Sequence, residues 1–144
     1  WTEQFIYNYR DNLDHQYRES FFTFNLAKVY FEQKNYQQVV ELLHETHLSD
    51  FLTSLGAKVL LLKAFYELNE HMLLESLTVN FIQLLNRKKM LAYHKKNYRN
   101  FCKYLQQLMH KDYKSEKWRK QLEQSIMAEG ILTEKEWFLT KLRE

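Results

Sequence analysis

Asn25-Leu26-Ala27-Lys28-Val29-Tyr30, taken up again at Asn35-Tyr36-Gln37-Gln38-Val39-Val40, is the stretch on which the fold turns. Upstream of it Tyr17, Phe21 and Phe24 extend the same three-to-four spacing of large apolar residues, which predicts one amphipathic helix from about Gln16. The run stops around Gln33-Lys34-Asn35, where Asn35 suits both a helix end and a turn. Tyr36, Val39, Val40, Leu42 and Leu43 then open a second stripe at once. Two helices joined by so short a turn must run antiparallel, a helical hairpin.

The unit recurs downstream. Asp50 is placed to cap a helix carrying Leu55, Val59, Leu62 and Tyr66; Asn69 and Glu70 supply the turn, and Met72, Leu73, Leu77, Phe81, Leu84 and Leu85 the return. Leu91, Tyr98, Phe101, Leu105 and Leu108 mark a third long helix, followed past His110-Lys111-Asp112 by Trp118, Leu122 and Ile126. Gly130 is read as the residue closing that helix, and Thr133 with Glu136 as a capping box for a last short one through Trp137, Phe138 and Leu142. At the other end 1–12 reads as the end of a helix already in progress, with Phe5, Ile6 and Tyr9 as its stripe, and Asp14 as cap of the next helix. The hairpins are thus expected over 14–46, 50–87 and 90–129, with the final helix over 133–143, in one helical-repeat domain.

Leu26, Ala27 and Tyr30 align with Leu62, Lys63 and Tyr66 at a period of 36, and Tyr104 follows 38 after Tyr66. A period of this size belongs to stacked helix pairs. The quoted stretch resembles a tetratricopeptide repeat, whose pattern sets Leu, a small residue and Tyr on the first helix and Gly-x-Tyr before the second. Lys34 stands where that pattern has Gly, Val39 and Glu75 where it has Ala, and Lys63 where it has a small residue. Leu60-Leu61-Leu62-Lys63-Ala64-Phe65-Tyr66-Glu67-Leu68, with Tyr98-Arg99-Asn100-Phe101 and Glu136-Trp137-Phe138-Leu139, is also similar to a group of long uncharacterised bacterial proteins of Bacteroidetes type. The resemblance implies an all-α, right-handed α-solenoid of about three antiparallel hairpins with a short C-terminal capping helix, and a protein-binding or scaffold role with no cofactor. Tyr30 and Tyr66 are expected in its core, where truncation to Ala removes about 3–5 kcal/mol.

Composition agrees with helices and removes other classes. With Gly 2 and Pro 0, the turns of a β-sandwich, barrel or Rossmann sheet lack their usual residues. One cysteine, Cys102, makes no disulfide framework, and it reads as a small buried apolar residue. No stretch is long and apolar enough to span a bilayer and no leader is evident, so a cytoplasmic location is expected. A chain starting at Trp1 reads as part of a longer protein.

Catalysis finds little to work with. Gly56 and Gly130 are far too separated for a phosphate loop, the carboxylates Glu67, Glu70 and Glu75 bracket a turn, and His44 and His47 sit at a helix end without a second acid or thiol. The chain is therefore read as neither an enzyme nor a metal protein. Charge is the sharper signal. Between Arg87 and Lys120 twelve Lys and Arg face only Asp112 and Glu116, which leaves the rest of the chain acidic.

Two partner classes follow. A groove lined by the first helices of the hairpins would engage an extended or helical peptide with an acidic end through Asn25, Lys28 and Lys63, joined by Lys95, Arg99 and Lys103 beyond. The alternative is single-stranded nucleic acid or RNA on the basic segment, where Lys88, Lys95, Arg99 and Lys103 are expected on one helix face, Lys114, Lys117 and Lys120 on the next, and Tyr93, Tyr113 and Trp118 interleave as stacking rings. The amino-terminal end, with no capping device, is open to pairing with a second copy.

Overall fold

A computed structural model describes residues 2–9, 15–44 and 46–144, without the side chains at 5, 7–9, 15 and 16. The expected cap Asp14 and the side chains of Phe5 and Tyr9 therefore lie outside the described residues. Among them the structure is helical throughout, with no strand: α1 Thr2–Tyr9, α2 His15–Glu32, α3 Tyr36–His44, α4 Phe51–Glu67, α5 His71–Arg87, α6 Ala92–Leu108, α7 Glu116–Ala128 and α8 Lys135–Arg143. A 3₁₀ turn at Lys111–Tyr113 fills the break between α6 and α7. Packing divides the chain into two compact units, Trp1–Leu74 and Glu75–Glu144.

In the first unit α2 packs on α1, α3 and α4, and α3 packs on α4. Small residues let the helices close up. Ala27, Val39, Leu43, Ala57, Leu60 and Ala64 form the buried centre, ringed by Phe24, Tyr30, Phe31, Tyr36 and Leu61. At Gly56 the approach is at its limit, because a Cβ there would stand 2.9 Å from the rim of the Phe24 ring. α4 is buried on nearly every side, through Leu55, Ala57, Val59, Leu60, Leu62, Lys63, Ala64 and Phe65.

Both helices of this unit that lead into a turn end in the same way. After α2 the Lys34 amide donates to the Phe31 carbonyl and the Asn35 amide to that of Tyr30; after α4 the Asn69 amide donates to Tyr66 and the Glu70 amide to Phe65. These are Schellman closures, and each needs a left-handed residue, here Lys34 at φ 60° and Asn69 at φ 59°. The two closures are 35 residues apart, so Tyr30 corresponds to Phe65 and Ala27 to Leu62. The sequence alignment at 36 is one residue long, and Tyr30 and Tyr66 are half-buried while Phe65 takes the core position. α4 to α6 then departs from the repeat, the helices ending 41 residues apart at Glu67 and Leu108.

Asp50 does cap α4: its carboxylate accepts from the Thr53 amide at 2.9 Å and the Thr53 hydroxyl at 2.6 Å. Those bonds stabilise the charged form and hold its pKa below the ordinary value of 3.8.

In the second unit α8 packs on α6 and α7. Phe138 is fully buried against Phe101 at 5.3 Å and Tyr104 at 6.3 Å between ring centres, and Cys102, Leu105, Leu122 and Ile126 are buried in the same unit. Arg143 of α8 donates through Nε to the Glu123 carboxylate of α7 at 2.8 Å. The segment before α8 corrects two expectations. Gly130 is not left-handed; α7 closes at Glu129 in extended conformation. No capping box forms at Thr133, because its amide donates to Asn97 Oδ1 of α6 at 2.6 Å, the amide that Glu136 would have taken. Glu134, left-handed at φ 63°, precedes α8 instead.

Candidate functional site

The residues expected to contact a partner fall into two groups. Asn25, Lys28 and Lys63 belong to the first unit, and Lys95, Arg99 and Lys103 to the second.

On α2 the buried arc holds Ser20, Thr23, Leu26 and Ala27, and the opposite arc holds Tyr17, Phe21, Asn25, Lys28 and Glu32. Tyr17 is 49% exposed and Phe21 46%, large rings for an open helix face. One edge of this arc is the Phe24 ring that meets Gly56 of α4; on the other side Val29 borders Thr2 and Glu3 of α1. Lys28 lies over the outer face of Phe24, its Nζ 4.4 Å from the ring centre. Asn25 turns its amide nitrogen back to the Phe21 carbonyl at 2.8 Å. Lys63 does not join them: it is 6% exposed, with its Nζ 4.3 Å from the centre of the Phe31 ring. Its type suggested an open position; packing around all of α4 encloses its stem. Tyr17 and Phe21, read from sequence as stripe residues, are the part of this surface that spacing alone assigned to the core.

In the second unit the count is fifteen Lys and Arg against eight Asp and Glu, a net of +7, while the first unit has six against ten, −4. Helical periodicity places Lys95, Arg99, Lys103 and Lys96 within an arc of about 100° on α6. Lys95 is half-buried and the other three are exposed. The Arg99 guanidinium donates to Asn86 Oδ1 of α5 at 2.5 Å, which fixes its direction without neutralising it. Lys103 rests beside the Tyr104 ring, 4.9 Å from its centre. Among the described residues none of the four has a carboxylate at ion-pair distance. Lys88 and Lys114, expected on helix faces, stand instead in the connections after α5 and before α7, where Ser115 is the cap; Lys117 and Lys120 are on α7. Tyr113 is 87% exposed and Tyr93 58%. The Trp118 ring is half-buried, with Lys114 Nζ 5.6 Å from its centre.

Cys102 is buried and desolvation pushes its thiol up to about 12, so it is held as an uncharged core group. Tyr104 donates to Glu129 Oε1 at 3.2 Å, and burial together with that carboxylate raises its pKa. Among the described residues no three His, Cys, Asp or Glu side chains stand together as a ligand group, and no helix is long and apolar enough to cross a membrane.

Comparison with family models, curated proteins and solved structures gives no match to this chain.

Proposed function

We propose that this chain is a non-catalytic interaction module of tetratricopeptide-like type, a right-handed solenoid of about three hairpins in which α8 serves as the closing cap, acting as a scaffold in the bacterial cytoplasm. Its ligand is a protein segment that lies along the open arc of α2. The observation that supports this reading is the pair of half-exposed rings, Tyr17 and Phe21, in line with Lys28 on a helix whose other side is consumed by packing. Two aromatic anchors with a neighbouring cation suit a peptide carrying apolar side chains and an acidic end. The matched closures at Lys34 and Asn69 support the repeat character, since equivalent hairpins bring equivalent first helices to one side.

Selection of random displayed peptides on the full chain tests it. The expected result is a set of peptides with an acidic end whose binding is lost in Tyr17→Ala with Phe21→Ala, and weakened in Lys28→Glu. Selected peptides indifferent to all three substitutions would remove the α2 arc as the binding surface.

A further inference from the structure

The second unit carries a surface that this reading does not use. We propose that it binds single-stranded nucleic acid along the exposed face of α6 and across the 3₁₀ turn to the start of α7. The inference is independent of the α2 arc, because it rests on other residues, all in the second unit.

Three observations support it. The first is uncompensated charge: Lys96, Arg99 and Lys103 are exposed, Lys95 lies at the edge of the same arc, and Lys95 to Lys103 spans about 12 Å of helix. A row of cations this long without carboxylates tracks a chain of phosphates better than it recognises a single anion. The second is direction. Arg99, aimed by Asn86, is pre-ordered, so less freedom is lost when its guanidinium meets a phosphate. The third is the rings. Tyr93 stands at the start of α6, its edge against His94 at 5.7 Å between ring centres, and Tyr113 stands past its far end, between Lys111 and Lys114, with almost its whole surface in water. Exposed rings at both ends of a cationic row are stacking platforms for unpaired bases, whose faces are apolar and planar. Paired bases keep those faces hidden inside the duplex. An acidic peptide would use the lysines and leave Tyr113 without a role.

Fluorescence anisotropy with the full chain tests the proposal, using labelled oligo-dT, the same oligonucleotide annealed to oligo-dA, and a labelled poly-glutamate of equal charge. The single strand is expected to bind best, with log affinity falling against log salt at about −0.7 for each phosphate contact, or on the order of −3 for the four cations of α6. Lys96→Glu combined with Arg99→Glu abolishes binding at moderate salt. Tyr113→Ala and Tyr93→Ala each lose on the order of tenfold for the single strand with the salt slope unchanged. Both rings are exposed, so these variants fold, and far-ultraviolet circular dichroism identical to the parent verifies it. Preference for poly-glutamate together with indifference to Tyr113→Ala would make the face an acidic-protein site and overturn the proposal. Preference for the duplex, or no retention of any probe at low salt, would overturn it equally.

Discussion

Lys34 and Asn69 adopt the same left-handed backbone, φ 60° and 59°, thirty-five residues apart, and each closes a helix with the same two amide-to-carbonyl bonds. A side chain with a Cβ is strained in this region, and asparagine less than lysine because its short amide tolerates it. Lys34→Gly is therefore expected to stabilise the fold by about 0.5–1 kcal/mol after the extra freedom of glycine in the unfolded chain is set against the relief. Asn69→Gly gains less, and Lys34→Val loses stability. Urea unfolding of the three variants checks the order.

The register of the repeat is open to a direct measurement. If Phe65 is the equivalent of Tyr30 and fills the core, Phe65→Ala removes about 3–5 kcal/mol. Tyr66→Ala, on a half-buried ring, removes on the order of 1–2 kcal/mol. Equal losses, or the reverse order, would restore the alignment at 36.

Gly56 and Phe24 are expected to be coupled. Gly56→Ala supplies better helix propensity, about 1 kcal/mol, but in the parent it must displace the Phe24 ring. With Phe24→Leu in place the displacement vanishes and the propensity gain appears. A double-mutant cycle with a coupling of at least about 0.5 kcal/mol is the expected outcome.

The Asp50 cap carries a pH signature. Its folded pKa lies below the unfolded one, so the cap's contribution is complete above the ordinary carboxyl range and fades as acid titrates the folded carboxylate. Asp50→Ala is expected to lose about 1 kcal/mol at neutral pH. Asp50→Asn keeps an acceptor for the Thr53 amide and flattens this residue's share of the acid limb, which urea midpoints measured from pH ~2 to ~6 will reveal.

Cys102 is expected to be silent toward thiol reagents in the folded protein, since it is buried and desolvation pushes its thiol up to about 12. Alkylation at mildly alkaline pH should then follow global opening and accelerate with denaturant in step with unfolding. Fast labelling without denaturant would mean that the core around Cys102 opens locally.

Helices α2 to α5 were legible because their signals are local. Asp50 accepts from the nearby Thr53 amide, the Asn35 and Asn69 amides donate to the nearby Tyr30 and Tyr66 carbonyls, and the spacing of Leu26, Ala27, Leu60 and Ala64 names the buried side. The segment 129–134 was not legible for the opposite reason. Asn97 takes the Thr133 amide and Asn100 donates to the Ile131 carbonyl at 2.9 Å, so side chains more than thirty residues away decide how α8 begins. For the candidate surfaces, charge located the basic segment with Lys96 among its twelve cations, but the face expected on its first helix left Lys96 out, and the helix phase adds it. Residue type placed Lys63 outside, where enclosure of α4 places it inside.

The Phe24 ring has Lys28 on one face and the backbone of α4 at its rim. A ligand that draws the ammonium away, or presses on the ring, therefore pushes on a neighbouring helix that has no spare room to yield. Occupancy of the α2 arc should be audible in α4, as slowed amide exchange around Gly56 well away from any atom the ligand touches.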